Sequence, residues 1–307
     1  MHKKLVIAAV ILTAFPAFAD DPKFVYGKVD DVKDVKKEVE WTAAAEAGLL
    51  FSTGNSETTT ITGGFHASRK TKDNKFAIDG MIAYAKSGIR SLNDLNGNGM
   101  IDGPEEVVTI ETVTAETYAS KGRYDRYLDK TDSLFAAGLA SRDVPAGKSS
   151  VLGFQLGYSR QLHKTKVSEM LGEFGYDYSK EHLTSGTPNE NSIHSARAFL
   201  GYKSKLIEGT DLVAFLEALT NLNTEHLATA GMRTDYGGPF KDTRVNLHLE
   251  VSAKIGKNLA FATAIDSHYD NRPAPIKFTN VMVNPAFVPE ASKLDTIMKA
   301  SIIYSFF

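Results

Sequence analysis

One stretch of the chain has the residue types and the spacing of a calcium-binding loop. Residues 94–105 read Asp-Leu-Asn-Gly-Asn-Gly-Met-Ile-Asp-Gly-Pro-Glu. In an EF-hand loop, side-chain oxygens at positions 1, 3 and 5, a backbone carbonyl at position 7 and a bidentate glutamate at position 12 surround one ion. The predicted ligands are Asp94, Asn96, Asn98, Met100 through its carbonyl, Asp102 and Glu105.

Bound Ca²⁺ would stiffen this loop rather than switch a helix pair, because no amphipathic helices flank it. Asn96 and Asn98 are neutral, so we expect weak affinity, about 10⁻⁴–10⁻³ M. The alternative is a turn-rich surface loop without a metal, since Asn-Gly and Asp-Gly are common turn formers.

A second set of candidates consists of ionisable side chains that recur within alternating apolar segments. Such groups are costly inside a membrane unless they line water or pair with one another. The predicted lumen residues are Glu46, Asp79, Glu116, Glu173, Asp177, Arg197, Glu217, Arg244, His248, Glu250, Lys254, Asp266, His268 and Lys299. This set fits two hypotheses: a narrow polar pore that slightly favours cations, or a salt-bridged plug that fills a small barrel.

Three histidines, His66, His248 and His268, are expected to point inward near acidic residues. A hydrolase needs an activated nucleophile beside its base and an oxyanion site. The sequence contains no Gly-x-Ser-x-Gly, His-Glu-x-x-His or phosphate-loop motif. We therefore expect a non-enzymatic protein, with a phospholipase-like hydrolase that uses His248 or His268 as the alternative.

Period-two alternation predicts the strands that position these residues. The clearest case is 244–255, where valine, leucine, alanine and isoleucine alternate with polar or charged residues. Twelve such segments occur from 41–51 to 294–306. The fourth, at 107–126, has an ambiguous register, and Phe135, Ala137 and Leu139 mark the fifth.

The connections between these segments are alternately short and long. The long ones fall near 88–106, 183–190, 224–241 and 271–292. Short periplasmic turns and longer external loops are typical of outer-membrane barrels, and an even strand count places both termini in the periplasm. Aromatic girdles are predicted from tyrosines near strand ends, namely Tyr84, Tyr158, Tyr178, Tyr269 and Tyr304. The rival interpretation is a soluble periplasmic β-sandwich or lipocalin-like barrel.

The remaining sequence features concern export and composition. Residues 1–19 have the basic, apolar and Ala-x-Ala regions of a signal peptide. They carry two of the 35 basic residues and none of the 37 acidic ones, so their removal shifts the charge from −2 to −4. This balance gives no reason to expect a nucleic-acid partner. The absence of cysteine excludes disulfides. Residues 20–40 are expected to form a charged periplasmic leader.

A family resemblance supports the same fold. The strand that runs into Ser-Thr-Gly-Asn-Ser-Glu-Thr at 52–58 resembles the salt-induced outer-membrane protein family, catalogued as domain of unknown function 481. The stretch 153–162, with Gly-x-x-x-Gly-Tyr, is similar to the middle of that family. The resemblance covers 41–307 and implies fold and location rather than chemistry.

These observations together predict an all-β protein: a transmembrane, antiparallel, up-and-down β-barrel of about 12 strands formed by 41–307. Its location would be the outer membrane of a Gram-negative bacterium. Its expected partners are outer-membrane lipid and the barrel assembly machinery.

Overall fold

The computed structural model describes seven parts of the chain: residues 39–52, 56–92, 107–144, 147–184, 189–226, 236–273 and 293–306. The predicted signal peptide, most of the leader and the predicted calcium loop at 94–105 lie outside the described residues. Within the described ranges, no helix is both long and apolar enough to span a membrane.

Fourteen strands account for almost all of this structure. They are β1 Val39–Ser52, β2 Ser56–Thr71, β3 Asn74–Leu92, β4 Val107–Tyr127, β5 Asp132–Asp143, β6 Lys148–Lys164, β7 Ser168–Leu183, β8 Glu190–Ile207, β9 Thr210–Asn221, β10 Glu225–His226, β11 Tyr236–Gly237, β12 Thr243–Lys254, β13 Leu259–Asp270 and β14 Leu294–Ser305.

Twelve of these strands form one closed antiparallel barrel. Each pairs with its neighbours in chain order, except that β9 pairs directly with β12, since β10 and β11 form a separate small hairpin between them. The barrel closes where β1 pairs with β14, from Ala44 opposite Ser305 to Ala47 opposite Ile302. The prediction of a closed twelve-stranded antiparallel barrel is confirmed.

The alternation in sequence becomes an alternation between outside and inside. On β12, Leu247, Leu249 and Val251 are exposed on the outer surface, whereas the neighbouring His248 is 2% exposed inside. Outward apolar side chains recur around the barrel, for example Phe65, Leu156 and Phe261. The outer surface therefore carries an apolar band, and the polar side chains of the opposite parity point into the lumen.

The two ends of the barrel differ in their connections. At the short-turn end, strands are joined by residues 72–73, 128–131, 165–167, 208–209 and 255–258. The 208–209 turn uses Gly209 at φ 77°, a left-handed conformation that glycine adopts without strain. At the other, long-connection end, the linking segments 93–106, 222–242 and 271–293 are long, whereas 53–55, 144–147 and 184–189 are shorter. The prediction of short turns at one end and longer loops at the other is confirmed, since all the longest connections lie at the same end.

A β-bulge explains why the register of the fourth strand is ambiguous in sequence. Ala85 pairs with Ala115, but Lys86 pairs with Val113, so Thr114 is left out of the ladder. One extra residue reverses which parity faces outward. Glu116 consequently lies on the outer face, where its Oε1 is 3.3 Å from Nε of Arg142. The prediction that placed Glu116 in the lumen is wrong.

The fifth strand, β5, also departs from the general pattern. Phe135 and Ala137 are only 3% and 2% exposed and point inward, whereas Leu134 is 49% exposed on the outside. The apolar residues that mark this strand in sequence therefore belong to the interior. Phe135 points inward because its ring packs against the guanidinium groups of Arg123 and Arg197 in the lumen.

Candidate functional site

The lumen is crossed by a chain of buried ion pairs with Arg197 at its centre. Arg197, on β8, donates from Nη1 to Oε2 of Glu173 at 2.8 Å and from Nε to Oε1 of Glu217 at 2.5 Å. The other oxygen of Glu173 lies 2.6 Å from Nη2 of Arg123. Arg123 also holds Asp125 on the same strand, at 2.7 Å. Because β5 and β6 lie between β4 and β7, the Arg123–Glu173 pair spans a chord of the barrel.

Hydrogen bonds extend this chain to the far side. Oε2 of Glu217 accepts from Nδ2 of Asn246 on β12 at 2.9 Å. Oδ1 of Asn246 in turn contacts Nδ1 of His268 on β13. We call this path from Asp125 to His268 the waist network. It joins β4, β7, β8, β9, β12 and β13 through contacts between charged and polar side chains.

Aromatic rings pack against the guanidinium groups of the waist network. The ring centroid of Phe135 is 4.1 Å from the guanidinium carbon of Arg123 and 5.5 Å from that of Arg197. Phe199 lies 5.2 Å from Arg197 and packs on Phe215 with ring centroids 5.7 Å apart. Cation–π attraction of this kind is strongest where the cation is desolvated. The inward side chain of Phe135 thus forms part of the support for the two arginines.

A second polar chain lies beside the first. Lys121 on β4 donates to Oε1 of Gln155 at 3.2 Å, and Nε2 of Gln155 donates to Oδ1 of Asp177 on β7 at 2.8 Å. All three side chains are buried. Their contacts link β4, β6 and β7 across the inside of the barrel.

Another charged cluster lies at the long-connection end of the lumen. Arg244 contacts Glu181 at 2.8 Å, Asp242 at 3.2 Å and Asp270 at 3.7 Å. Lys148 adds a second contact to Glu181 at 3.3 Å. Burial raises the pKa of the Asp242 carboxyl above its usual range, although Arg244 opposes the shift. We call these five residues the mouth cluster.

A cavity of about 110 Å³ lies between the waist network and the mouth cluster. Its polar lining includes Asp177, Ser195, Arg244, Asp266 and His268, and its apolar lining includes Phe215. A space of this size holds several water molecules.

The opposite wall of the lumen, formed by β14, β1, β2 and β3, is different. It carries an ion pair between Nδ1 of His66 and Oδ1 of Asp79 at 2.6 Å, and the His66 side chain is 21% exposed. Glu46 is also only half-buried. Small residues such as Ala44 and Gly64 alternate with them. Lys70 and Lys75, near the short-turn end of this wall, are buried. Around Glu46 and His66, nearer the middle of the strands, the wall leaves more room than the wall that carries the waist network.

The histidines proposed for catalysis have mainly carboxylate and aromatic neighbours. His248 places Nδ1 2.6 Å from Asp266 and Nε2 3.9 Å from Glu250. Its ring stacks on Phe215 with centroids 4.8 Å apart. Among the described residues, Nε2 of His248 has no hydrogen-bond partner.

Most of the predicted lumen residues point inward in the structure. This group comprises Glu46, Asp79, Glu173, Asp177, Arg197, Glu217, Arg244, His248, Glu250, Asp266 and His268. Lys254 is exposed at the short-turn end of β12. Lys299 pairs with Ala264 in the β13–β14 ladder, and its side chain lies outside the described part of the structure.

Several interior residues escape the sequence pattern, namely Lys121, Arg123, Asp125, Phe135, Gln155 and Lys148. Lys121, Arg123 and Asp125 share one parity at the end of β4, which was a usable signal. The bulge at Thr114 hid it, because the parity before the bulge predicts the opposite orientation.

No group of three or more histidine, cysteine, aspartate or glutamate side chains that could hold a metal is found in the part of the chain that the structure describes. The predicted ligands from Asp94 to Glu105 lie outside that part.

Comparison with known families gives one match, which covers residues 45–306. The matching family is described as protein of unknown function, DUF481. The chain belongs to this family. The predicted resemblance is confirmed. A comparison of the DUF481 chain with curated proteins finds no match.

Solved structures similar to this DUF481 chain include three bacterial barrels. The β domain of the Bordetella autotransporter BrkA is 12% identical, with 87% of this chain and 98% of that chain covered and a TM-score of 0.38. The translocator domain of autotransporter NalP from Neisseria meningitidis is 13% identical, with 90% of this chain and 91% of that chain covered and a TM-score of 0.40. An anion-selective porin from Comamonas acidovorans is 10% identical, with 88% of this chain and 100% of that chain covered and a TM-score of 0.35.

Proposed function

We propose that the chain is an integral outer-membrane β-barrel without enzymatic activity, with a lumen closed at the waist, and that it stabilises the envelope. The observation that carries this proposal is the waist network. Contacts between buried and half-buried side chains run from Asp125 on β4 to His268 on β13, and the two ion pairs of Arg197 at their centre are fully buried. Fully buried ion pairs that are also hydrogen-bonded resist rearrangement, because separating them leaves uncompensated charges.

The exterior supports membrane insertion. Large apolar side chains, such as Leu49 at 74% exposure and Phe174 at 67%, point outward around the closed barrel. An apolar surface of this extent is unfavourable in water but matches a bilayer. Closure also satisfies the strand edges, which lipid requires. We expect heat-modifiable gel migration and recovery in the outer-membrane fraction. Recovery as a soluble periplasmic protein would contradict the proposal.

Conductance in planar bilayers tests the closed waist. We expect wild-type protein to be silent and the double variant Arg197→Ala with Glu173→Ala to give discrete steps. The double variant removes one positive and one negative charge, so the net charge of the lumen is unchanged. Arg123 retains its contact with Asp125, and Glu217 retains its hydrogen bond from Asn246. The matched control is Glu116→Ala with Arg142→Ala, an ion pair on the outer face. Large steps from wild type would overturn the proposal.

A narrow cation path is the second candidate, favoured by the small residues of the wall formed by β14, β1, β2 and β3. Glu46 is a half-buried carboxylate on that wall. Small cation-selective currents from wild type that lose their selectivity in Glu46→Gln would favour this candidate over the closed barrel.

The hydrolase alternative rests on His248 and His268. Purified protein is assayed on phospholipid and ester substrates, together with a variant in which both histidines are replaced by glutamine. We expect no turnover in either case. Turnover by wild type that disappears in the variant would identify an enzyme.

A calcium-binding loop at the long-connection end completes the proposal. It is supported by the ligand spacing from Asp94 to Glu105, between β3 and β4. Calorimetric titration is expected to show binding at about 10⁻⁴–10⁻³ M. Glu105→Gln should remove most of that affinity, because it removes the bidentate carboxylate. If wild type does not bind several millimolar calcium, the segment is only a turn-rich loop.

A further inference from the structure

Four outward side chains form a single row across β1 to β4 near the short-turn end of the barrel. In the ladders, Trp41 is opposite Arg69, Arg69 opposite Phe76, and Phe76 opposite Tyr124. The three aromatic side chains are 60%, 51% and 46% exposed. The guanidinium carbon of Arg69 lies 5.8 Å from the centroid of the Trp41 ring.

A second arginine lies one step closer to the turn on the same face. Nη1 of Arg126 and the hydroxyl of Tyr124 both donate to Oδ1 of Asn74, at 2.9 Å and 2.7 Å. Asn74 is itself fixed by the turn, since its backbone N–H donates to Oγ1 of Thr71 at 3.2 Å. The position of the Arg126 guanidinium is therefore set by neighbours that carry no charge.

Neither Arg69 nor Arg126 lies against a carboxylate among the residues that the structure describes. Both are exposed on the outer surface. Next to the aromatic row, away from the turn, the apolar band begins with Ile78, which is 39% exposed. Two cations that have no carboxylate partner among the described residues thus lie where an apolar band meets a belt of aromatic rings.

We propose that this row is a binding site for the headgroup of an anionic glycerophospholipid. A guanidinium group recognises phosphate oxygens with two parallel hydrogen bonds. Tryptophan and tyrosine rings lie at the headgroup level of a bilayer. Acyl chains of the same lipid would lie along the apolar band beside Ile78. The inference rests on the proposed membrane insertion, and it adds a ligand class and a location.

The chain provides a built-in probe at this site, since Trp41 is its only tryptophan. Phospholipids brominated on their acyl chains quench tryptophan fluorescence on contact. Folded protein is placed in bilayers of phosphatidylglycerol and phosphatidylcholine in fixed proportions. In one preparation only the phosphatidylglycerol is brominated, and in the other only the phosphatidylcholine is brominated. The ratio of the two quenching efficiencies measures the local preference of Trp41 for anionic lipid.

We expect the wild-type ratio to show about a fivefold preference for the anionic lipid, from the attraction of a basic side chain near a charged membrane surface. Arg69→Gln and Arg126→Gln should each lower the preference, and the double variant should remove it. High salt should weaken it, since exposed charges are screened. A ratio of quenching is used because Arg69→Gln also changes the intrinsic fluorescence of Trp41.

Arg160→Gln is the matched control. Arg160 is 58% exposed at the same end of the barrel, but Oδ1 of Asp132 lies 3.6 Å from its Nε. This variant removes the same charge and leaves the row intact, so the preference should remain. Heat-modifiable migration establishes that each variant is folded.

The outcomes separate this inference from the proposed function. If both brominated lipids quench equally, the lipid site is wrong while membrane insertion stands. If neither lipid quenches the fluorescence of Trp41, the proposed membrane insertion is wrong, and the proposed lipid site is wrong as well. A preference that excess soluble glycerophosphate removes would show a site for free phosphate and overturn the assignment to lipid. Loss of preference in Arg160→Gln would indicate a general effect of charge and also overturn the proposal.

Discussion

The two walls of the lumen are built in opposite ways. The wall from β4 to β13 carries long charged side chains and phenylalanines, and Arg197 and the Glu173 side chain are 0% exposed there. The described part of the wall of β14, β1, β2 and β3 carries mainly alanines, glycines and short polar side chains, with the close pairs His66–Asp79 and Thr42–Ser68. The His66 side chain is 21% exposed, and the buried lysines of this wall, Lys70 and Lys75, lie near the short-turn end. Most strands of both walls show the same apolar–polar alternation in sequence, with β4 and β5 as the exceptions.

The difference shows how a small barrel can be filled from one side. Side chains such as arginine and glutamate reach across a chord and meet partners two or three strands away. The space they occupy then limits the size of residues on the facing wall, since interiors are close-packed. Stability should consequently be concentrated on one wall, and four experiments test this.

The largest effect is expected at the centre of the waist network. Arg197→Met keeps most of the volume but leaves the carboxylates of Glu173 and Glu217 without their common partner. Breaking a buried pair in this way costs about 3–5 kcal/mol. The free energy of unfolding is measured by urea titration with gel migration as the readout. Glu46→Gln on the opposite wall should cost less than about 1 kcal/mol. Equal losses would refute the asymmetry.

The next effect compares two neighbouring residues on β5. Phe135→Ala removes the ring that contacts Arg123 and Arg197 and should lower the free energy of unfolding by about 3 kcal/mol. Leu134→Ala alters the outer face, where the side chain is 49% exposed, so its cost should be clearly smaller. The same urea titration decides the order. A larger loss for Leu134→Ala would mean that the interior of this wall is not packed as described.

A pair of glycine substitutions probes the room on each wall. A Cβ at Gly157, on the filled wall, would lie 2.6 Å from the carbonyl oxygen of Phe174 and 2.7 Å from the ring of Phe135. A Cβ at Gly64, on the other wall, would meet the flexible carboxylate of Glu46 at 2.7 Å. Gly157→Ala should destabilise by about 1–3 kcal/mol, and Gly64→Ala by much less. Comparable melting temperatures for the two variants would contradict this prediction.

The smallest effect concerns pH at the mouth cluster. Burial raises the pKa of Asp242 in the folded state, so the folded protein binds this proton more tightly than the unfolded chain. Linkage then predicts that this group's contribution to stability falls as pH rises from the unfolded pKa through the folded one. Asp242→Asn should flatten the part of the stability profile that lies above the unfolded pKa, which is about 4. Asp129→Asn is the control. The pKa of Asp129, in the 128–131 turn, is lowered mainly by the backbone N–H of Thr131. Its stabilising contribution is therefore lost as pH falls, which is the opposite trend. An unchanged profile in Asp242→Asn would show that Asp242 is not linked to folding.

The sequence by itself determined the strand count, the antiparallel closure and the difference between the two ends. It could do so because period-two alternation and turn length are local properties of the chain. β12 is the best example, since exposed and buried or half-buried side chains alternate from Asn246 to Ser252 as their parity predicts. The family could likewise be recognised from the short motif at 52–58. The signal peptide and the calcium loop remain predictions from the sequence.

The tertiary structure alone decided what the lumen contains. The parity of β4 depends on whether Thr114 is paired, and this is settled by the register of β3 beside it. Phe135 is apolar but points inward, because two guanidinium groups from other strands lie against its ring. Arg123 and Glu173 are far apart in sequence, and only barrel closure and strand stagger bring them to 2.6 Å. A period of two tells which residues share a face, but contacts across a lumen depend on the positions of distant strands.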